Sequence, residues 1–157
     1  MLRRIVFAAL AGVATAILDS SFNGTGQIRA LAHGTTNGTD MGCLTDAGQW
    51  TTIEDDCGVF AGVRNGATGV YLTSERGSCG RAEDDDSVLY FNCAEDQDAL
   101  DFWIFAAYTN RDILVYSETF TWSSFSTFAD ADTNNLTLHS YRTNDPEPWV
   151  WMGWTAL

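Results

Sequence analysis

The chain has 157 residues and a formal net charge of −13, with no lysine and arginine as its only permanently charged cation. So acidic a surface repels phosphate backbones and anionic membranes at long range, which argues against nucleic-acid-binding and membrane-surface functions. With 45% hydrophobic residues it can bury the core of one domain, so disulfides assist folding without being its sole support.

The N-terminus reads as an export signal. Arg3 and Arg4 precede an apolar run, Ile5 to Ala14, and Ala14-Thr15-Ala16 supplies a small-residue cleavage site. The run is shorter than the roughly 20 residues that cross a bilayer. Residues 1–16 are therefore expected to be a signal peptide, and 17–157 a single secreted β-rich domain. Three sequons agree with export: Asn23-Gly-Thr, Asn37-Gly-Thr and Asn135-Leu-Thr.

After the signal, short apolar or alternating runs recur, cut by Gly, Asn, Asp and Ser. They predict strands at Gly26–Ala32, Gln49–Ile53, Gly58–Val63, Gly69–Thr73, Val88–Cys93 and Phe102–Tyr108. Further strands follow at Ile113–Tyr116, Thr119–Ser123, Leu136–Ser140 and Val150–Trp154. Asn65-Gly66, between two apolar runs, predicts a hairpin, and Asn23-Gly24 and Asn37-Gly38 mark turns around the first strand. Both faces of Phe102–Tyr108 are apolar, which predicts a central strand covered on both sides. Ser124–Asn134 is the one place where a helical turn is expected. The pattern predicts an all-β fold, a small single-domain β-barrel or β-sandwich.

Four cysteines in an exported chain predict two disulfides, and four permit three pairings. We pair each with its near neighbour, Cys43 with Cys57 and Cys79 with Cys93, which closes two short loops. Each closure contributes about 3 kcal/mol in the chain-entropy account. Zinc is the poorer reading. No Cys-x-x-Cys occurs, and His33 and His139 lie far from the cysteines. No cofactor is implied.

These residues carry a resemblance. Gly42-Cys43-Leu44, Gly48, Trp50 and Cys57, then Tyr71-Leu72-Thr73-Ser74 and Gly77-x-Cys79, resemble the C-terminal module of fungal ribonuclease T2-like proteins. The closing Trp154-Thr155-Ala156-Leu157 is similar to the way such modules end. The resemblance implies a small β-rich extension that follows a catalytic domain, here free-standing. It implies no catalytic residue on this chain, since the family's catalytic residues belong to the other domain.

Other constellations fall short of active sites. His33-Gly34-Thr35 matches a tripeptide in the family's catalytic segment, but RNA cleavage needs further histidine and cationic partners, and His139 has no matching context. Glycoside hydrolysis needs two opposed carboxylates. The acids here come in runs, Glu54–Asp56, Glu83–Asp86 and Glu95 to Asp101, which read as solvated loops. Asp130-Ala-Asp132-Thr-Asn134 opens like a calcium loop, but Asn135 and Tyr141 stand where glycine and glutamate are required. Trp149 and Trp151 fall on one strand face, with Trp154 on the other, and are the candidate ligand contacts.

The expected function is a secreted, monomeric, non-catalytic module binding cell-wall polysaccharide or a host surface protein. The alternatives are a small hydrolase using a carboxylate pair, and an effector or inhibitor engaging a host protein through its acidic loops.

Overall fold

The computed structural model describes residues 21–32, 39–85, 87, 89–106, 112–115, 124–126, 137–141 and 149–157. Its strands are β1 (Gly24–Ala32), β2 (Asp40–Leu44), β3 (Trp50–Thr51), β4 (Phe60–Asn65), β5 (Gly69–Ser74) and β6 (Gly77–Glu83). They continue with β7 (Leu89–Ala94), β8 (Phe102–Ala106), β9 (Asp112–Val115), β10 (Ser124–Ser126), β11 (His139–Tyr141) and β12 (Trp149–Ala156). A 3-10 turn at Glu54–Asp56 is the only helical element among the described residues. The all-β expectation holds.

Of the two predicted architectures, the barrel is the one realised. Antiparallel pairings run β1–β4, β4–β5, β5–β8, β8–β9, β9–β12 and β12–β1, so six strands close into a ring. A second arc, β6–β7–β11–β10, leaves β5 and rejoins the ring at β12. Strands β2 and β3 flank the far half of β1.

Strand alternation fills the ring's interior. Ile28 and Ala30 of β1, Phe60 of β4, Val70 and Leu72 of β5, and Phe102 of β8 are fully buried. Ile104, Leu114, Val150 and Met152 complete this core with Phe22, Trp50 and Phe91. Burying each such side chain contributes about 1.5–3 kcal/mol against leaving it in water.

The predicted hairpin is β4–β5. Its pairs run from Ala61↔Thr73 to Asn65↔Gly69, and Gly66 turns the chain at φ +70°, a conformation glycine adopts without a Cβ clash. Both predicted disulfides are present, and no cysteine is free. Cys79 and Cys93 are direct cross-strand partners on β6 and β7, whereas Cys43–Cys57 ties β2 to the exit of the 3-10 turn.

Several expectations change. β2 and β6 carry no apolar alternation and were not predicted. The predicted helical turn begins at Ser124, where the chain instead forms β10, its backbone paired to β11 on one side and β12 on the other. The rest of that turn, residues 127–134, and the predicted strand Thr119–Ser123 lie outside the described residues. Strand β8 is central, paired to both β5 and β9, but its outer side is only partly covered: Phe102 is fully buried while Trp103 is half-buried.

Candidate functional site

Among the described residues, the densest polar cluster is built on Arg29 of β1. Its guanidinium meets Asp40 through Nε and Nη2 at 2.9 and 3.1 Å, and Glu54 through Nη1 and Nη2 at 2.7 and 2.9 Å. Nη1 also lies 3.4 Å from Cys57 Sγ. A bulge explains how Asp40 gets there. Between Arg29↔Cys43 and Leu31↔Asp40, β2 spends an extra residue, and the Gly42 N–H returns to Asp40 Oδ1 at 2.9 Å. Two bidentate carboxylates on one arginine thus bind β1, β2 and the 3-10 turn together beside the first disulfide.

The electrostatics run against acid catalysis. The hydrogen bonds and charge of Arg29 hold the Glu54 carboxyl below its ordinary range, and the hydrogen bonds and charge of Glu54 and Asp40 in turn raise the Arg29 guanidinium. A glycosidase's general acid needs the opposite shift. The carboxylates that the fold brings together here form a structural clamp.

The clamp carries a pH signature. Glu54 titrates lower in the folded chain than in the unfolded one. Its contribution is therefore complete above the unfolded glutamate value of about 4.3 and is lost as pH falls through the lowered folded value. Arg29→Met is expected to lower Tm by a few degrees at neutral pH. The gap from the native chain should close on acidification from about pH 5 to pH 3. A gap that stays constant over that range would show that packing of the arginine stem, not charge, had been lost.

The other singled-out residues are dispersed. Asn23 is exposed in the turn before β1. His33-Gly34-Thr35, Asn37, Asn135 and the Asp130–Asn134 loop lie outside the described residues. His139 sits on β11 with its backbone opposite Tyr90. Asp55, Asp56, Glu83, Glu95, Asp96 and Asp98 are exposed, as the charge runs implied. Among the described residues, no group of three or more His, Cys, Asp or Glu could hold a metal ion.

The tryptophans divide. Trp50 is 2% exposed, with its indole N–H donated to Met41 O at 2.9 Å. Trp154 packs against the core, its ring 5.3 Å from that of Phe22 and close over Gly26, where a Cβ would fall 2.4 Å from the indole. Trp151 is half-buried on the opposite side of β12, paired with Leu31. The Trp149 backbone continues β12 opposite Ser126, and its side chain lies outside the described part.

Compared with known proteins, residues 20–149 match the family model of the RNase T2-like C-terminal domain. That span holds both disulfides, strands β1 to β11 and the first residue of β12. No curated protein and no solved structure matches the chain.

Proposed function

The chain belongs to the family of RNase T2-like C-terminal domains, and from that membership we propose a non-catalytic module acting outside the cell, at a cell wall or host surface, by binding carbohydrate or protein. The match to a C-terminal domain model is the observation that carries this reading. By the resemblance, such a module accompanies a catalytic domain without supplying its catalytic residues, which supports the non-catalytic reading. Two closed disulfides suit an oxidising compartment, in keeping with the export signal read at residues 1–16. The chain acts as a monomer, with Trp149 and Trp151 of β12 as contacts.

Glu54, held ionised by Arg29, gives the carboxylate-pair hydrolase no support.

The test uses the purified chain on RNA, on soluble glycans and on insoluble wall polysaccharide. We expect no turnover and measurable retention on the solid. Turnover lost on one carboxylate or His33 substitution would overturn the non-enzyme reading. Retention unchanged in Trp149→Ala and Trp151→Ala would remove those two rings from it.

A further inference from the structure

We propose that the outer face of the β4–β5–β8 corner is a docking platform for a neutral glycan chain, a proposal that rests on the surface-binding reading above and adds a face to the β12 tryptophans named there. Alternation and register assemble the face. Val63 and Tyr71 are cross-strand partners on the outer side of the hairpin, 63% and 39% exposed. Gly69 lies two residues before Tyr71 on the same side, paired to Asn65 in one direction and to half-buried Trp103 in the other.

Asp101 covers that glycine. Its Oδ1 lies 2.6 Å from where a Cβ at position 69 would stand, and its Oδ2 accepts a hydrogen bond from Asn65 Nδ2 at 2.5 Å. One strand corner thus sets two aromatic side chains, an apolar valine and a linked amide–carboxylate pair side by side. Aromatic rings present an apolar body to the C–H face of a sugar. The exposed Asn65 amide meets its hydroxyls as donor and acceptor, held in place by Asp101, whose Oδ1 is buried against Gly69.

Charge selects the class of glycan. Arg64, the cation nearest in sequence, belongs to the other side of β4, where Nη1 donates to Ser21 O at 3.0 Å and Nη2 to Ala67 O. Among the described residues, the charge on the platform is the Asp101 carboxylate, in a chain of net charge −13. Uronate or phosphorylated polymers are repelled, and the aromatic and apolar side chains that make up most of the face contact uncharged C–H surfaces, so the partner is a neutral polymer.

The experiment measures retention of the full chain on cellulose, chitin and an insoluble β-1,3-glucan, with polygalacturonate as the anionic comparison. We expect retention on at least one neutral polymer, insensitive to added salt. Tyr71→Ala should weaken it about tenfold, and Tyr71→Phe, which keeps the ring, should stay within about twofold. Tyr71 is exposed, so the melting temperature of both variants should match the native chain. Native retention that survives both Tyr71→Ala and Trp103→Ala overturns this face while leaving the surface-binding reading in place. Retention on polygalacturonate alone overturns the neutral class. Retention on no polymer overturns the platform and the carbohydrate branch of that reading together.

Discussion

Replacing Phe102 by alanine lowers the free energy of unfolding by about 3–5 kcal/mol, a drop in Tm on the order of 10 °C for a domain of this size. Phe102 is fully buried, and its ring lies 5.4 Å from that of Phe91. It also sits where the ring closes, its backbone opposite Val70 of β5. The substitution removes apolar contact on the inner side and leaves a void that neighbouring strands, pinned by their ladders, cannot fill. Val59→Ala is the matched control. Val59 is 47% exposed, and its loss should stay within about 0.5 kcal/mol. Urea unfolding of the two variants decides the point. A Phe102→Ala cost below about 1 kcal/mol would mean that the core is loosely packed at the closure.

The double variant Cys79→Ala/Cys93→Ala should lose about 3–4 kcal/mol, more than Cys43→Ala/Cys57→Ala. Both bridges span a sequence separation of 14, so loop closure makes them equal. Burial separates them. Cys79 and Cys93 are 0% and 3% exposed and both belong to the core, whereas the other bridge joins fully buried Cys43 to a half-buried Cys57 at the surface. Removing the inner bridge adds a cavity to the lost cross-link. The urea midpoints of the two double variants should fall in that order, and equal midpoints would assign the whole effect to chain entropy.

Much of this scaffold was legible from residue pattern. Asn65-Gly66 between Val59–Val63 and Val70–Leu72 encodes a local turn that needs no distant partner, and the hairpin formed where expected. Near-neighbour pairing of the cysteines was readable for the same reason. Strands β2 and β6 were not readable, because Asp40–Leu44 has Gly42 and a bulge in place of a clean alternation and Gly77–Glu83 is made of small and charged residues. They are held by ladder pairing and by a disulfide apiece, and neither has a periodic signature. At Ser124–Ser126 the expected helical turn gave way to β10, whose backbone is claimed by strands on either side.

The candidate sites were less legible. Glu54 read as one member of a solvated charge run, yet it is half of a clamp, because Arg29 reaches it across 25 positions in sequence. The Asn65–Asp101 pair joins residues 36 positions apart, and Trp103 enters the platform only through the β5–β8 register. Trp149 and Trp151 stood out because alternation puts them on one face of a single strand, a pattern that does not say which rings of other strands join that face.

Closure of the six strands has a consequence for behaviour at high concentration. A strand with unpaired N–H and C=O groups can template the addition of another chain, and apolar β-rich sequences are prone to it. Here the described strand left at the end of the pairing order is β3, two residues long and followed after a short gap by Glu54, Asp55 and Asp56. An incoming segment finds too few backbone groups to grip and meets negative charge beside them. Among the described strands, connectivity thereby leaves little edge for fibrillar growth.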